Sequence, residues 1–295
     1  MKTHALLFSI VIPSYRDWDR LKLCLAALDK QKFSKDLFEI IIVNNEIDSS
    51  PPDDLLLSSN CKMIHEPMPG SYAARNSGIK ASKGSVIAFT DSDCIPDDCW
   101  LLNASKVLLE HKYEYLRITG PVNIFRGPSA SWLAWKYDAI TAFNQIYNVK
   151  NGLAVTANLF VTRNIFEKFG YFDSELMSGG DISWNRTITA HQIKILYAPN
   201  VIINHPSRLS LHQVIQKARR VIGGLFVLSK RRSIQSQLAL ALRQLIPPVH
   251  FAGVLLQNNK NIIDTTFAFF VYWLIKLIIF FEVVRLFLGG KALRE

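Results

Sequence analysis

Three short apolar runs constrain this chain more than anything else in it. FSIVIPSY over Phe8–Tyr15, FEIIIVNN over Phe38–Asn45 and SVIAFT over Ser85–Thr90 are dense in β-branched and aromatic residues. Each continues without polar alternation and then stops at polar residues, which marks a strand buried on both faces. Between the first two, Leu21, Leu25 and Leu28 repeat at helical spacing with Cys24 among them. Cys61–His65 reads as a weaker strand, and Ser71–Ala81 as a helix after Pro69-Gly70. Strand and helix alternating at a spacing of roughly 25–30 residues imply an α/β domain on a mostly parallel sheet. Ligands of such sheets lie at the C-terminal ends of the strands. Those ends carry Pro13–Tyr15, Asn44–Glu46 and Asp91–Asp93.

Further along, Trp132–Asn148 is aromatic-rich and expected to be helical, while Thr156–Val161, Ile193–Tyr197 and Val201–Ile203 read as short strands. After Pro206, Leu211, Val214, Ile215, Ala218, Ile222 and Leu225 follow an amphipathic helical pattern. Gly223-Gly224 is expected to interrupt it.

Charge divides the chain at the same place. The net charge is +10, yet residues 1–206 hold 21 basic and 21 acidic side chains, and residues 207–295 hold 13 and 3. The expected organisation is therefore a neutral α/β domain over 1–206 and a basic, apolar helical tail over 207–295. Ile262–Leu288 is almost entirely apolar apart from Asp264, Lys276, Glu282 and Arg285. A membrane span needs about 20 apolar residues, which Thr265–Phe281 approaches with Lys276 inside it. Aromatic crowding, with Lys230, Arg231, Arg232, Lys260, Lys291 and Arg294 around it, favours contact with anionic lipid over nucleic acid as the partner of this charge. Leu238–Leu256, broken at Pro247-Pro248, fits either a membrane-dipping segment or half of a short hairpin. Cys24, Cys61, Cys94 and Cys99 show no metal-binding spacing and are expected to be reduced thiols.

The sharpest chemical signal is Asp91-Ser92-Asp93, two carboxylates placed where a buried strand ends. Like charges this close repel unless donors or a cation sit among them. A hard divalent ion such as Mg²⁺ or Mn²⁺ resolves the repulsion and completes its shell with phosphate oxygens and water. Gly179-Gly180-Asp181 puts a single acid in a glycine-rich loop. Such a carboxylate suits a general base, and it equally suits the cap of a helix beginning at Ile182. Arg219-Arg220 matches a diphosphate in fork geometry, or a lipid headgroup. His205-Pro206 follows the strand at Val201–Ile203 and reads first as a structural histidine.

In order, FSIVIPSYRD, FEIIIVNNE, PGSYAARNSGIKASKG, SVIAFTDSDCIPDDCWL, ANLFVTRNIFEKFGYFDSEL, SGGDISWNR and ILYAPNVIINHPSR resemble a family-2 glycosyltransferase of the GT-A fold. The resemblance spans about residues 8–225. It implies an inverting, metal-dependent transfer from a nucleotide-sugar donor to a hydroxyl of a glycan or lipid-linked acceptor, as in polysaccharide biosynthesis. It implies Asp181 as the base and Mg²⁺ or Mn²⁺ on Asp93 and Asp91, with His205 as a further metal or diphosphate contact. Pro13, Tyr15, Asn44, Glu46, Arg75 and Asp91, with Arg219 and Arg220, are the expected nucleotide-sugar contacts. Asn44 departs from the aspartate frequent in the family, and Arg16 from a frequent asparagine. The expected location is a membrane, with the catalytic domain facing the cytoplasm. Two other readings compete. A phosphatase of the haloacid dehalogenase type shares the strand-to-DxD turn but calls for Thr or Val where Ile95 stands. A non-catalytic, membrane-tethered binding module would make Asp93 and Asp181 dispensable.

Overall fold

A computed structural model describes residues 7–46, 50–111, 114–230, 233–248 and 262–293. Arg231, Arg232, Lys260, Arg294 and the second half of Leu238–Leu256 lie outside the described residues. The elements run β1 (Phe8–Ser14), α1 (Trp18–Asp29), β2 (Phe38–Asn44), β3 (Cys61–His65), α2 (Ser71–Ala81), β4 (Val86–Phe89), β5 (Ile95–Pro96) and α3 (Trp100–His111). They continue as β6 (Arg117–Thr119), β7 (Val122–Phe125), α4 (Trp132–Thr141), α5 (Gln145–Lys150), β8 (Leu159–Thr162), α6 (Arg163–Phe169) and α7 (Gly180–Ala190). Last come β9 (Ile195–Tyr197), β10 (Ile203–Pro206), α8 (Leu211–Lys230), α9 (Ile234–Leu245) and α10 (Ile262–Phe287).

The chain forms two compact units. The first comprises Met1–Asn123, Phe143–Leu176 and Gly180–Pro206, and the second Ile124–Ala142, Met177–Gly179 and Ser207–Glu295. The boundary at Pro206 is where the charge changes, but the second unit also takes in Ile124–Ala142 and Met177–Gly179.

In the first unit a seven-stranded sheet has the order β3-β2-β1-β4-β8-β6-β9. β2, β1 and β4 are parallel neighbours, and β8 runs antiparallel between β4 and β6. Phe8, Ile10 and Ile12 of β1 join Phe38, Ile40 and Ile42 of β2 in a core with Leu21, Leu28, Trp100 and Phe160. The alternate residues Val11, Ile41 and Val43 are equally buried on the other face. Burial on both faces explains why these strands carry no polar alternation. In a small second sheet β10 pairs antiparallel with β5, with Asn204 opposite Ile95.

Several local expectations change: the strand expected at Val201–Ile203 is β10, which contains His205, and Thr156–Asn158 is a short 3₁₀ turn before β8. Trp132–Asn148 is not one helix. α4 ends at Thr141, Phe143 takes φ 54°, and α5 restarts with the Asn144 side-chain Oδ1 accepting from the Tyr147 N–H at 3.0 Å. Gly223-Gly224 does not interrupt α8, which continues through it to Lys230. A Cβ at Gly224 would lie 2.6 Å from the Ser178 carbonyl oxygen, so close packing outweighs the weak helix propensity of glycine.

In the second unit Ile222 and Phe226 of α8 pack on Val283 and Leu286 of α10. Asp138 of α4 holds Arg208 at 2.7 Å. Glu282 takes Arg219 at 2.8 Å and Arg285 at 2.5 Å, and Lys276 Nζ donates to the Ile246 carbonyl at 2.6 Å. Three of the ionisable groups inside the apolar tail thus have partners. Among the described residues no helix is long and apolar enough to cross a membrane.

Gly78 lets α2 lie against β1 and β2. A Cβ there would collide with Val11 Cγ1 and sit 3.2 Å from Val43 Cγ2. Gly78→Ala is expected to destabilise the protein by about 1–3 kcal/mol through overpacking. A lower urea midpoint with an unchanged slope is the expected result.

Candidate active site

The parallel strands deliver their polar ends to one edge. Asn44, at the end of β2, is buried, and its side-chain oxygen accepts the backbone N–H of Glu46 at 3.1 Å. That bond makes a local turn and orients the buried Glu46 carboxylate, which accepts from Arg16 Nε and, at 3.2 Å, Nη2. Arg16 itself takes φ 51° and lies over the Tyr15 ring, 5.2 Å from its centroid. Pro13 is half-buried on β1 and Tyr15 is exposed beyond it. Asn45 was not singled out in the sequence. It bridges the end of β2 to the approach of α2, donating to the Glu66 and Met68 carbonyls at 2.8 Å each and accepting from Gly70 N–H at 2.7 Å.

The two acids of the DxD turn part company. Asp91 Oδ1 lies 2.5 Å from Arg75 Nη2, a guanidinium that is only 4 % exposed. Arg75 in turn sits over the Tyr72 ring, 5.5 Å from its centroid. Tyr72 donates its phenolic hydrogen to Asp181 Oδ1 at 2.9 Å, and the Ile182 N–H donates to the same oxygen at 2.9 Å. α7 begins at Gly180, so Asp181 stands inside its first turn and is not the cap of a helix beginning at Ile182. Burial pushes its carboxyl above the usual aspartate range. The Tyr72 hydrogen bond, the Arg75 charge and the Ile182 N–H pull it back without cancelling that rise, and the charge of Asp91 adds to it.

Asp93 turns toward β10. The β5–β10 pairing sets His205 beside it, with Nε2 3.3 Å from Asp93 Oδ2. His205 Nδ1 lies 2.6 Å from the Pro206 carbonyl, an acceptor, so Nδ1 carries the hydrogen. The Nε2 lone pair therefore faces a carboxylate oxygen, and two acceptors this close require a shared proton or a cation between them. Ligand atoms of Asp93, Cys94 and His205 lie within 4.8 Å of one another. A carboxylate and an imidazole held this way fit a divalent ion such as Mn²⁺. Burial, with the charges of Asp91 and Asp93, pushes the Cys94 thiol well up, so Cys94 stands there as a neutral thiol. Arg20 Nη1 also reaches Asp93 Oδ2 at 3.3 Å from the exposed side, anchored at 2.6 Å by Asp17, which accepts the Ser92 hydroxyl at 2.8 Å.

The structure thus gathers Asp91, Arg75 and Asp181 into one connected line and Asp93 and His205 into another. Asp91 falls outside the group that could share a metal. Arg219 and Arg220 belong to the second unit. Arg219 is paired with Glu282 there, and Arg220 Nε is buried without a hydrogen-bond partner among the described residues. Tyr72, Cys94 and Arg20 were missed, because an aromatic, a thiol and a helix-surface arginine all read as ordinary core or surface residues.

The sequence profile described as "Glycosyl transferase family 2" matches residues 9–169, more than half of the chain. The chain is 29% identical over 273 residues to the glycosyltransferase AglE of Haloferax volcanii, covering 88% of each. Its fold is that of the mannosyltransferase PcManGT from Pyrobaculum calidifontis, solved with GDP-Man and Mn²⁺, with a TM-score of 0.60 at 14% identity over 98% of this chain and 89% of that one. It likewise matches S. aureus TarS 1–349 in complex with UDP-GlcNAc, with a TM-score of 0.53 at 17% identity over 84% and 70% of the two chains. An α/β sheet of this topology, ending at its carboxyl edge in these acids and arginines, is the GT-A fold of a glycosyltransferase, and the chain belongs to glycosyl transferase family 2.

Proposed function

We propose that the enzyme is an inverting transferase that moves a sugar from a nucleotide-sugar donor to a hydroxyl of a glycan or lipid-linked acceptor. The observation that carries this reading is the connected line from Asp91 through Arg75 and Tyr72 to Asp181. It places a guanidinium and a half-buried carboxylate on one side chain array at the carboxyl edge of the sheet. Asp181 takes the proton of the acceptor hydroxyl as that oxygen attacks the anomeric carbon. The bond from that carbon to the diphosphate breaks with its electron pair leaving on the diphosphate. One displacement with one base inverts the anomeric centre, and no second carboxylate serves as a nucleophile. Arg75, oriented by Asp91, supplies positive charge near the nucleotide. Pro13, Tyr15, Asn44 and Glu46 border the base and ribose at the ends of β1 and β2. Asp93 and His205 are the residues that would hold Mg²⁺ or Mn²⁺, which when bound offsets the charge that develops on the diphosphate.

The nucleotide-sugars bound by the structural relatives support a donor of this class. A dolichyl-phosphate-linked sugar named as substrate of a Methanococcus voltae relative, 22% identical over 71% of this chain, supports a lipid-linked acceptor. The second unit suits a lipid surface on the cytoplasmic side. Ile234, Leu238, Leu242 and Leu245 form an exposed stripe on α9, and Phe267, Phe270, Leu274 and Phe281 another on α10.

A panel of UDP-, GDP- and dTDP-sugars with Mn²⁺ or Mg²⁺ tests the reading, and no turnover of any donor would overturn it. Asp181→Asn is expected to lower kcat by roughly 10²–10⁴-fold with donor affinity retained; full activity would remove Asp181 from the role of base. Asp93→Asn is expected to raise the Mn²⁺ concentration needed for half-maximal activity at least about tenfold, measured by metal titration. The wild-type protein is expected to sediment with phosphatidylglycerol vesicles. Leu242→Glu with Leu274→Glu should reduce that binding while leaving donor hydrolysis intact.

A further inference from the structure

We propose that Tyr72 is the positioning residue of the base: its phenol and the Ile182 N–H together occupy Oδ1 of Asp181, leaving Oδ2 to receive the acceptor's proton. This rests on the reading of Asp181 as the base. Among the described residues Oδ2 of Asp181 accepts no hydrogen bond, whereas Oδ1 accepts two at 2.9 Å. A carboxylate held by one oxygen keeps a single orientation and one free lone-pair face.

Besides its bond to Asp181, the tyrosine is held from two sides. It is 5 % exposed, its ring lies 5.7 Å from that of Phe172, and Arg75 sits over it. A further contact explains a glycine. A Cβ at Gly180 would come within 2.7 Å of the Tyr72 ring, so the residue preceding Asp181 must be glycine for this ring to reach the first turn of α7. The glycine-rich loop before Asp181 therefore serves Tyr72 as well as backbone approach, and α2 and α7 lock the base between them.

The groups facing Asp181 are Tyr72, Arg75 and Asp91, together with the Ile182 N–H. A hydrogen bond donated to a carboxylate favours its charged form, so losing it raises the carboxyl pKa. Tyr72→Phe keeps the ring, its packing on Gly180 and Phe172, and the contact with Arg75, and removes only the hydroxyl. The expected result is an acidic limb of the kcat profile displaced upward by about one to two pH units, a loss of roughly ten- to a hundredfold at fixed acidic pH. Activity recovers toward wild type on the alkaline side, with donor KM and unfolding midpoint little changed. The same upward displacement is expected for the Asp181 carboxyl carbon when full-length, ¹³C-aspartate-labelled protein is titrated by NMR, a readout that needs no donor. A pH profile and carboxyl titration superimposable on wild type would overturn the proposal, as would a uniform loss of activity at all pH values accompanied by a lower unfolding midpoint. The failure of the underlying reading looks different. In that case Asp181→Asn stays active, whereas an inactive Asp181→Asn with an unmoved Tyr72→Phe profile leaves the base in place and removes only Tyr72.

Discussion

The central strand β1 is packed on both faces, and the rest of the molecule follows from where its polar groups are then allowed to be. Ile10 and Ile12 face one layer and Val11 the other, and all three are fully buried. With β2 and β4 buried in the same way, no side chain along the middle of the sheet can be charged without a large desolvation cost. Polar chemistry is pushed to the strand ends, and parallel pairing puts the ends of β1, β2 and β4 on a single edge. Asn44, Glu46, Asp91 and Asp93 lie along or just beyond that edge for this reason.

Gathering acids at one edge creates a second problem, which the fold solves with cations drawn from elsewhere in the chain. Asp91 is answered by Arg75 from α2, Glu46 by Arg16, and Asp93 by Arg20, with the His205 imidazole beside it. Asp181 has no direct ion pair among the described residues, and it is held by neutral donors instead. That arrangement suits the proposed role of Asp181 as the base, since a full ion pair would hold its charge too firmly to share. Membership of the transferase family also ends the phosphatase and binding-module readings of the same DxD turn.

Legibility in the sequence followed the range of the interactions. α2 spans Ser71–Ala81, as its local pattern indicates, and β4 lies within the Ser85–Thr90 run. Both depend on spacing and on flanking Pro and Gly alone. α8 did not break at Gly223-Gly224, because what decides that position is the Ser178 backbone, distant in sequence. Similarly, Trp132–Asn148 carried helical composition, and the break at Phe143 between α4 and α5 was not visible in it. Tyr72 is invisible in YAARN, where an aromatic before two alanines reads as core. Its role appears only once Gly180 has brought α7 against its ring.

By itself the sequence determined the α/β class, the edge at which the acids gather and the change in charge after residue 206, because those depend on composition and local periodicity. Tertiary structure decided how the acids are used. Asn204 pairing with Ile95 carries His205 to Asp93, and α2 carries Arg75 to Asp91, so neighbouring acids of one turn acquire different partners. The same folding took Ile124–Ala142 into the second unit with residues 207–295 and committed Arg219 to Glu282. The physical reason is that a carboxylate's behaviour is set by whatever donors and charges lie within a few ångströms of it, and those come from segments that only the packed sheet brings together.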